Sequence, residues 1–319
     1  MTALATRAKL EKELYPPITA LLKDEGYRVW EEATIRAGEE GTRTADHVAW
    51  QWEGEEIRAL AVEVKPGQAD VGLAQAAAYS AGFDAVFVAA EEPFVSTGYL
   101  GAVFARLGLG YIRVTPTDAS IERDADPSPF IVDTVRAENL ARVRLRHLFV
   151  ETWSGDENVW FGGDRRGDNW AVTGTTSEWQ LCGQVVTGSS AAYLSLLAES
   201  KQVGDSAAAK LEGGALAASV RSIGPSTEVI LQERRHNGFQ GSYSGVLRVW
   251  SPDDDDDTAL DALLSFARTL SGPRVGPHFE IRTELWPHGT SLTEADARRD
   301  FEEALTRLRA VQSILNEGL

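Results

Sequence analysis

The stretch ADHVAWQWEGEEIRALAVEVK (45–65) limits the fold more than any other part of the chain. Two β-rich runs, 45–52 and 56–65, flank a short turn. A two-residue turn at Gly54-Glu55 puts Gly54 at the first central position of type II′. That turn sets the register of the hairpin. Val48 falls opposite Ala61 and Trp50 opposite Ala59, so large residues face small ones. Asp46 then falls opposite Glu63. Side chains alternate along a strand, so Glu63 and Lys65 share one face, Val62 and Val64 the other, and His47 points away from Asp46. Opposed carboxylates repel unless something cationic sits between them. Asp46, Glu63 and Lys65 therefore read either as a salt-bridged, solvated sheet edge or as part of a metal site. A slip of one residue would remove the second reading.

The surroundings define an α/β (α+β) chain. Residues 3–25 predict helix with a break or restart at Pro16-Pro17, and 26–35 predict a strand. ADVGLAQAAAYSAG (69–82) predicts a helix capped by Asp70 and ended by Gly82. Its Gln75 and Tyr79 are four apart and share a face. A polar Gln75 among small residues needs a partner, which the charged end of the hairpin can supply. FDAVFVAA (83–90) is a continuous apolar run, the mark of a strand buried on both faces. A helix near 97–107 and a strand at 110–116 follow. The polar stretch 116–129 reads as a linker and 132–148 as a helix with arginines suited to its C-terminal end. The domains are thus 1–118, a linker and connecting helix over 119–148, and a second α+β domain over 149–319. In the second domain, strands are expected near 158–161, 169–173, 179–186, 227–234, 243–250 and 278–285. Helices are expected over 190–200, 257–270 and 293–315.

The 319 residues carry a net charge of −17. Such acidity opposes nonspecific contact with nucleic acid. It fits either a high-salt habitat or a ligand other than nucleic acid. No run of about 18 apolar residues is present, so no membrane span is expected. The N-terminal residues lack a signal-peptide pattern, which predicts a cytoplasmic protein. Cys182 is the only cysteine and is expected to be structural. Asp253–Asp257 lacks calcium-loop spacing and reads as carboxylates at a helix N-terminus. GQVVTGSS (183–190) lacks the lysine of a phosphate loop, so Ser189 or Ser190 reads as a helix cap. GSYSG (241–245) is not a nucleophile elbow. The histidines show no metal-ligand spacing.

Asp46, Glu63-Val64-Lys65, and a helix carrying Gln75-Ala-Ala-Ala-Tyr79 together resemble the PD-(D/E)XK nuclease superfamily, and the Q-x-x-x-Y helix is similar to that of its RecB-like branch. The resemblance covers about residues 8–115. It implies a restriction-endonuclease-like core of helix, three strands, helix and strand. Glu11 or Glu13 matches the additional acidic residue of many members. Ala45 stands where the family often has Pro or Gly before the aspartate.

The resemblance further implies a metal-dependent phosphodiesterase. Asp46 and Glu63 would bind Mg²⁺ or Mn²⁺, aided by the Val64 carbonyl. The metal would activate water and neutralise charge developing on phosphorus. Lys65 would orient that water or stabilise the phosphorane. Gln75 and Tyr79 would position the assembly or contact substrate, and Arg43 and Arg36 are the nearby basic contacts. The implied partner is nucleic acid, DNA ahead of RNA. A homo-oligomer or a protein partner through the C-terminal domain stays open. The alternative is a catalytically inactive binding or assembly protein on the same scaffold.

Overall fold

A computed structural model describes residues 10–38, 41–153, 159–160, 169–173, 179–185, 191–198, 221, 227–237, 241–250, 275–287 and 289–317. The chain divides into two units. The first runs to Val143 and includes His288–Glu294; the second comprises Arg144–Pro287 and Ala295–Leu319.

The first unit is a six-stranded mixed sheet with helices on both faces. Its elements are α1 (Tyr15–Asp24), β1 (Arg28–Arg36), β2 (Thr42–Glu53), β3 (Glu56–Lys65), α2 (Leu73–Tyr79), β4 (Ala85–Ala90), α3 (Gly98–Leu107), β5 (Gly110–Thr115) and β6 (Asp118–Arg123). The spatial order follows the chain order, β1 through β6. β1, β2 and β3 form an antiparallel meander; β3, β4 and β5 are parallel; β6 returns antiparallel to β5. Parallel neighbours need a crossover, and α2 and α3 provide the two that are required.

The hairpin has the register its turn demands. Val48 pairs with Ala61 and Trp50 with Ala59, and Gly54 has φ +69° as a type II′ turn requires. One face buries Leu60, Val62 and Val64 of β3 against Leu14, Tyr15, Ile18 and Leu22 at and around α1. The other buries Val48, Trp50, Ala59 and Ala61 with Ala76 and Tyr79 of α2 and Phe104 of α3. β4 is buried at all six positions, as a strand covered on both sides must be. α1 restarts at Tyr15 with Pro16 and Pro17 in its first turn, where their missing N–H groups cost nothing.

Three expectations need correction here. Residues 118–123, read as linker, form β6. Their polarity belongs to an edge strand whose side chains are mostly exposed. Residues 69–82 are not one helix. A 3₁₀ turn, Ala69–Gly72, precedes α2, and the Asp70 side chain makes no cap. The arginines near 142 do not answer a helix dipole. Helix α4 (Asp133–Thr152) has no basic residue in its last turn. Arg142 instead lies buried 2.7 Å from Glu138, whose other oxygen is 2.5 Å from Arg36. Next to this group, the Asn139 amide accepts from the Arg36 N–H at 2.8 Å and donates to its carbonyl at 3.0 Å, imitating one rung of a ladder at the end of β1.

The second unit has a seven-stranded antiparallel sheet. Its strands are β7 (Val159–Trp160), β8 (Asn169–Thr173), β9 (Trp179–Val185), β10 (Ala191–Ala198), β11 (Thr227–Asn237), β12 (Gly241–Trp250) and β13 (Val275–Pro287), in spatial order β12-β11-β13-β10-β9-β8-β7. Helix α5 (Glu294–Glu317) matches the helix expected over 293–315. The helix expected over 190–200 is instead β10, a central strand paired with β9 and β13. Its alanines and leucines suit a helix locally, but sheet pairing overrides propensity. Cys182, the only cysteine of the sequence, is buried. The helix expected over 257–270, the Asp253–Asp257 run and Ser189-Ser190 lie outside the described residues.

Candidate metal centre

The site lies where β2 stops pairing with β3. The ladder between them ends at His47–Val62, one step before Asp46 would meet Glu63. Strand alternation is interrupted there. Ala45 and Val48, three apart, both join the α2-side core, and Glu32, level with Asp46 on β1, has φ +51°. The Asp46 carboxylate takes the place of the missing rung. Its Oδ2 accepts the Val64 N–H at 2.6 Å and its Oδ1 accepts the Tyr15 hydroxyl at 2.8 Å. A residue in a strand sends its N–H and C=O to the same edge, so the Val64 carbonyl leaves on the Asp46 side.

Glu63 and Lys65 leave the same face of β3, as alternation requires. The Lys65 ammonium is 2.5 Å from Glu63 Oε1 and 2.9 Å from Glu11 Oε1. Glu63 Oε2 accepts the Tyr79 hydroxyl of α2 at 2.7 Å, and that hydroxyl also lies 3.2 Å from the Thr44 carbonyl. Glu63 is 1% exposed and Lys65 8%. Carboxylate oxygens of Glu11, Asp46 and Glu63 all lie within 4.8 Å of one another. Glu11, in the helical residues 10–13, is the acid that joins the cluster; Glu13 is exposed.

Three carboxylates therefore converge on one ammonium. Burial, then the neighbouring Asp46 charge, pushes Glu63 up to about 7. Burial likewise raises Asp46, against the hydrogen bonds from Val64 and Tyr15. For Lys65, burial works downward, but Glu63 and Glu11 outweigh it and the net shift is upward. Burial and the adjacent carboxylates raise both tyrosines, Tyr79 and Tyr15, so they remain hydroxyl donors. The donor set is hard oxygen with excess negative charge, which fits Mg²⁺ or Mn²⁺. Asp46, Glu63 and Glu11 would supply the carboxylate oxygens and Val64 its carbonyl.

Other expected contributors stand differently. Gln75 is half-buried on α2 and makes no hydrogen bond with the described residues. Arg43 is exposed on β2 and lies within electrostatic reach of the Tyr79 hydroxyl. Arg36 is held by Glu138 and the Gly38 carbonyl and is engaged in structure. His47 is fully buried on the α1 side, stacks edge-on against Tyr15 with ring centroids 4.7 Å apart, and has Thr19 Oγ1 3.2 Å from Nε2. Burial lowers it to about 4, so it is a neutral packing residue.

Two members of the site escaped the sequence reading. Tyr15 had one signal, its place directly before Pro16-Pro17, which fixes it in the first turn of α1 facing the sheet. Gly72 had the signal of a glycine inside an apparent helix. A Cβ at Gly72 would lie 3.1 Å from Lys65 Cγ and 3.3 Å from Glu63 Cγ, so glycine lets the turn approach both stems. Compared with protein-family models, with curated proteins and with solved structures, the chain matches none of them.

Proposed function

We propose that the first unit is a metal-dependent nuclease of the PD-(D/E)XK type, with a restriction-endonuclease-like core formed by α1, β1–β3, α2 and β4. One observation carries this reading: the buried Glu63 and Lys65 meet the half-buried Asp46 and Glu11 in one cluster. The element order agrees with it. When bound, Mg²⁺ or Mn²⁺ would supply Lewis acidity toward a phosphodiester and its attacking water. The chain's own residues do the rest. Tyr15 and Val64 N–H fix the Asp46 carboxylate, and Tyr79 fixes that of Glu63. Lys65 keeps a positive charge and N–H donors beside the place where negative charge grows on a phosphate oxygen. The expected substrate is nucleic acid, DNA ahead of RNA.

The net charge of −17 favours a second reading, a catalytically inactive binding or assembly protein on this scaffold. The full chain incubated with single- and double-stranded DNA and RNA, with Mg²⁺ or Mn²⁺ at low and high salt, separates the two. The nuclease cuts at least one substrate, and Lys65→Ala loses cleavage while keeping its fold. Absence of cleavage under every condition favours the scaffold, and undiminished cutting by Lys65→Ala removes the role given to Lys65.

A further inference from the structure

The turn Ala69–Gly72, which approaches Glu63 and Lys65 through Gly72, also walls a cavity of about 380 Å³. That volume is within the range of small-ligand sites. Phe94 and Tyr111 line it, and they pack with Phe104 into one ring cluster, centroids 5.1–5.7 Å apart. Tyr111 is held by its hydroxyl, which donates to the Glu92 carbonyl at 2.5 Å. Tyr99 of α3 also lines the cavity and is 84% exposed, so its ring is not held in the core. The acidic residues of the lining are Asp70 and Glu92, both exposed, and the lining includes no lysine or arginine.

We propose that this cavity is a nucleobase subsite that takes an unpaired base bearing an exocyclic amine, as in cytosine or adenine. The proposal rests on the nuclease reading, since a strand held at the carboxylate cluster passes the shared turn. Rings on the floor and at the mouth select a flat aromatic ligand, because every base offers a π face. Two carboxylates without a cation reject a phosphate and accept N–H donors, as acidic side chains do from the amine of cytosine. Most of the lining comes from the segments that directly follow β3 and β4, residues 68–73 and 92–95.

The test uses the full chain in EDTA with free deoxycytidine, deoxyadenosine and thymidine, followed by ligand-observed NMR titration. These probes carry no phosphate and need no metal, so the result is independent of cleavage. Deoxycytidine and deoxyadenosine should bind, with thymidine roughly tenfold weaker. Tyr99→Ala should weaken the amine-bearing nucleosides roughly tenfold. Asp70→Asn with Glu92→Gln should erase the preference over thymidine. No binding, equal binding of all three, or binding indifferent to Tyr99→Ala overturns the subsite even where the protein cleaves nucleic acid. Selective binding without cleavage of any substrate leaves the subsite standing and overturns the nuclease reading.

Discussion

Two buried charged clusters in the first unit invite comparison. Around Glu138, one carboxylate lies between Arg36 and Arg142 at 2.5 and 2.7 Å. Around Glu63, three carboxylates share a single lysine. The first is cation-rich and also ties a strand end to a helix through Asn139. The second is short of positive charge, and neutral hydroxyls from Tyr15 and Tyr79 make up part of the deficit. The difference teaches that burial of charge is not by itself a sign of chemistry. Ion pairs that close on themselves are structural; an acid excess held in place by neutral donors is arranged for a cation or a proton.

The contrast can be broken most forcefully at Glu138. Glu138→Ala takes the carboxylate away from the buried Arg142 and the half-buried Arg36 and should cost about 3–5 kcal/mol in urea unfolding. An unchanged midpoint would mean the cluster contributes nothing to the fold. At the other cluster, Lys65→Ala should reduce Mn²⁺-dependent cleavage roughly 10²–10³-fold, the usual loss for one stabilising donor at developing charge. Circular dichroism should show the fold intact, because the acids can take up protons. Tyr15→Phe removes a hydrogen bond to a carboxylate and should cost about 1.5–3 kcal/mol of stability in EDTA. It should also weaken Mn²⁺ binding measured by calorimetry.

The smallest effect carries the sharpest sign. Glu63 rises from 4.5 to about 7 in the fold, so the folded state favours its protonated form. That stabilisation is complete below about pH 4.5 and is lost as pH rises through about 7. Glu63→Gln in EDTA at pH 8 should therefore be no less stable than the parent, the reverse of Glu138→Ala. Metal inverts the trend, since it needs ionised ligands. The rise in Tm on adding Mn²⁺ should be larger at pH 8 than at pH 6; equal rises would argue that Glu63 is not a ligand.

The hairpin was legible because its information is local. A two-residue turn at Gly54 and the alternation of sizes set the register from Glu53–Glu56 to His47–Val62, which carries Asp46, Glu63 and Lys65 to the same end of the hairpin. What depended on distant partners was not legible. Ala191–Ala198 reads as helix until β9 and β13 flank it. Residues 118–123 read as linker because an edge strand shows few buried positions. Tyr15 joins Asp46 across 31 residues, and no local pattern announces that bond. The interruption at Asp46 lies level with Glu32, whose positive φ is a conformation its residue type does not advertise.

Asp46 stands in for a backbone carbonyl as well as offering a charge. An alanine there would unfasten the margin of the hairpin at the same time as it removed a carboxylate from the cluster, and any lost activity would have two causes. Asparagine keeps an oxygen able to receive the Val64 N–H while giving up the anion. Asp46→Asn is thus the substitution that separates architecture from chemistry at this position.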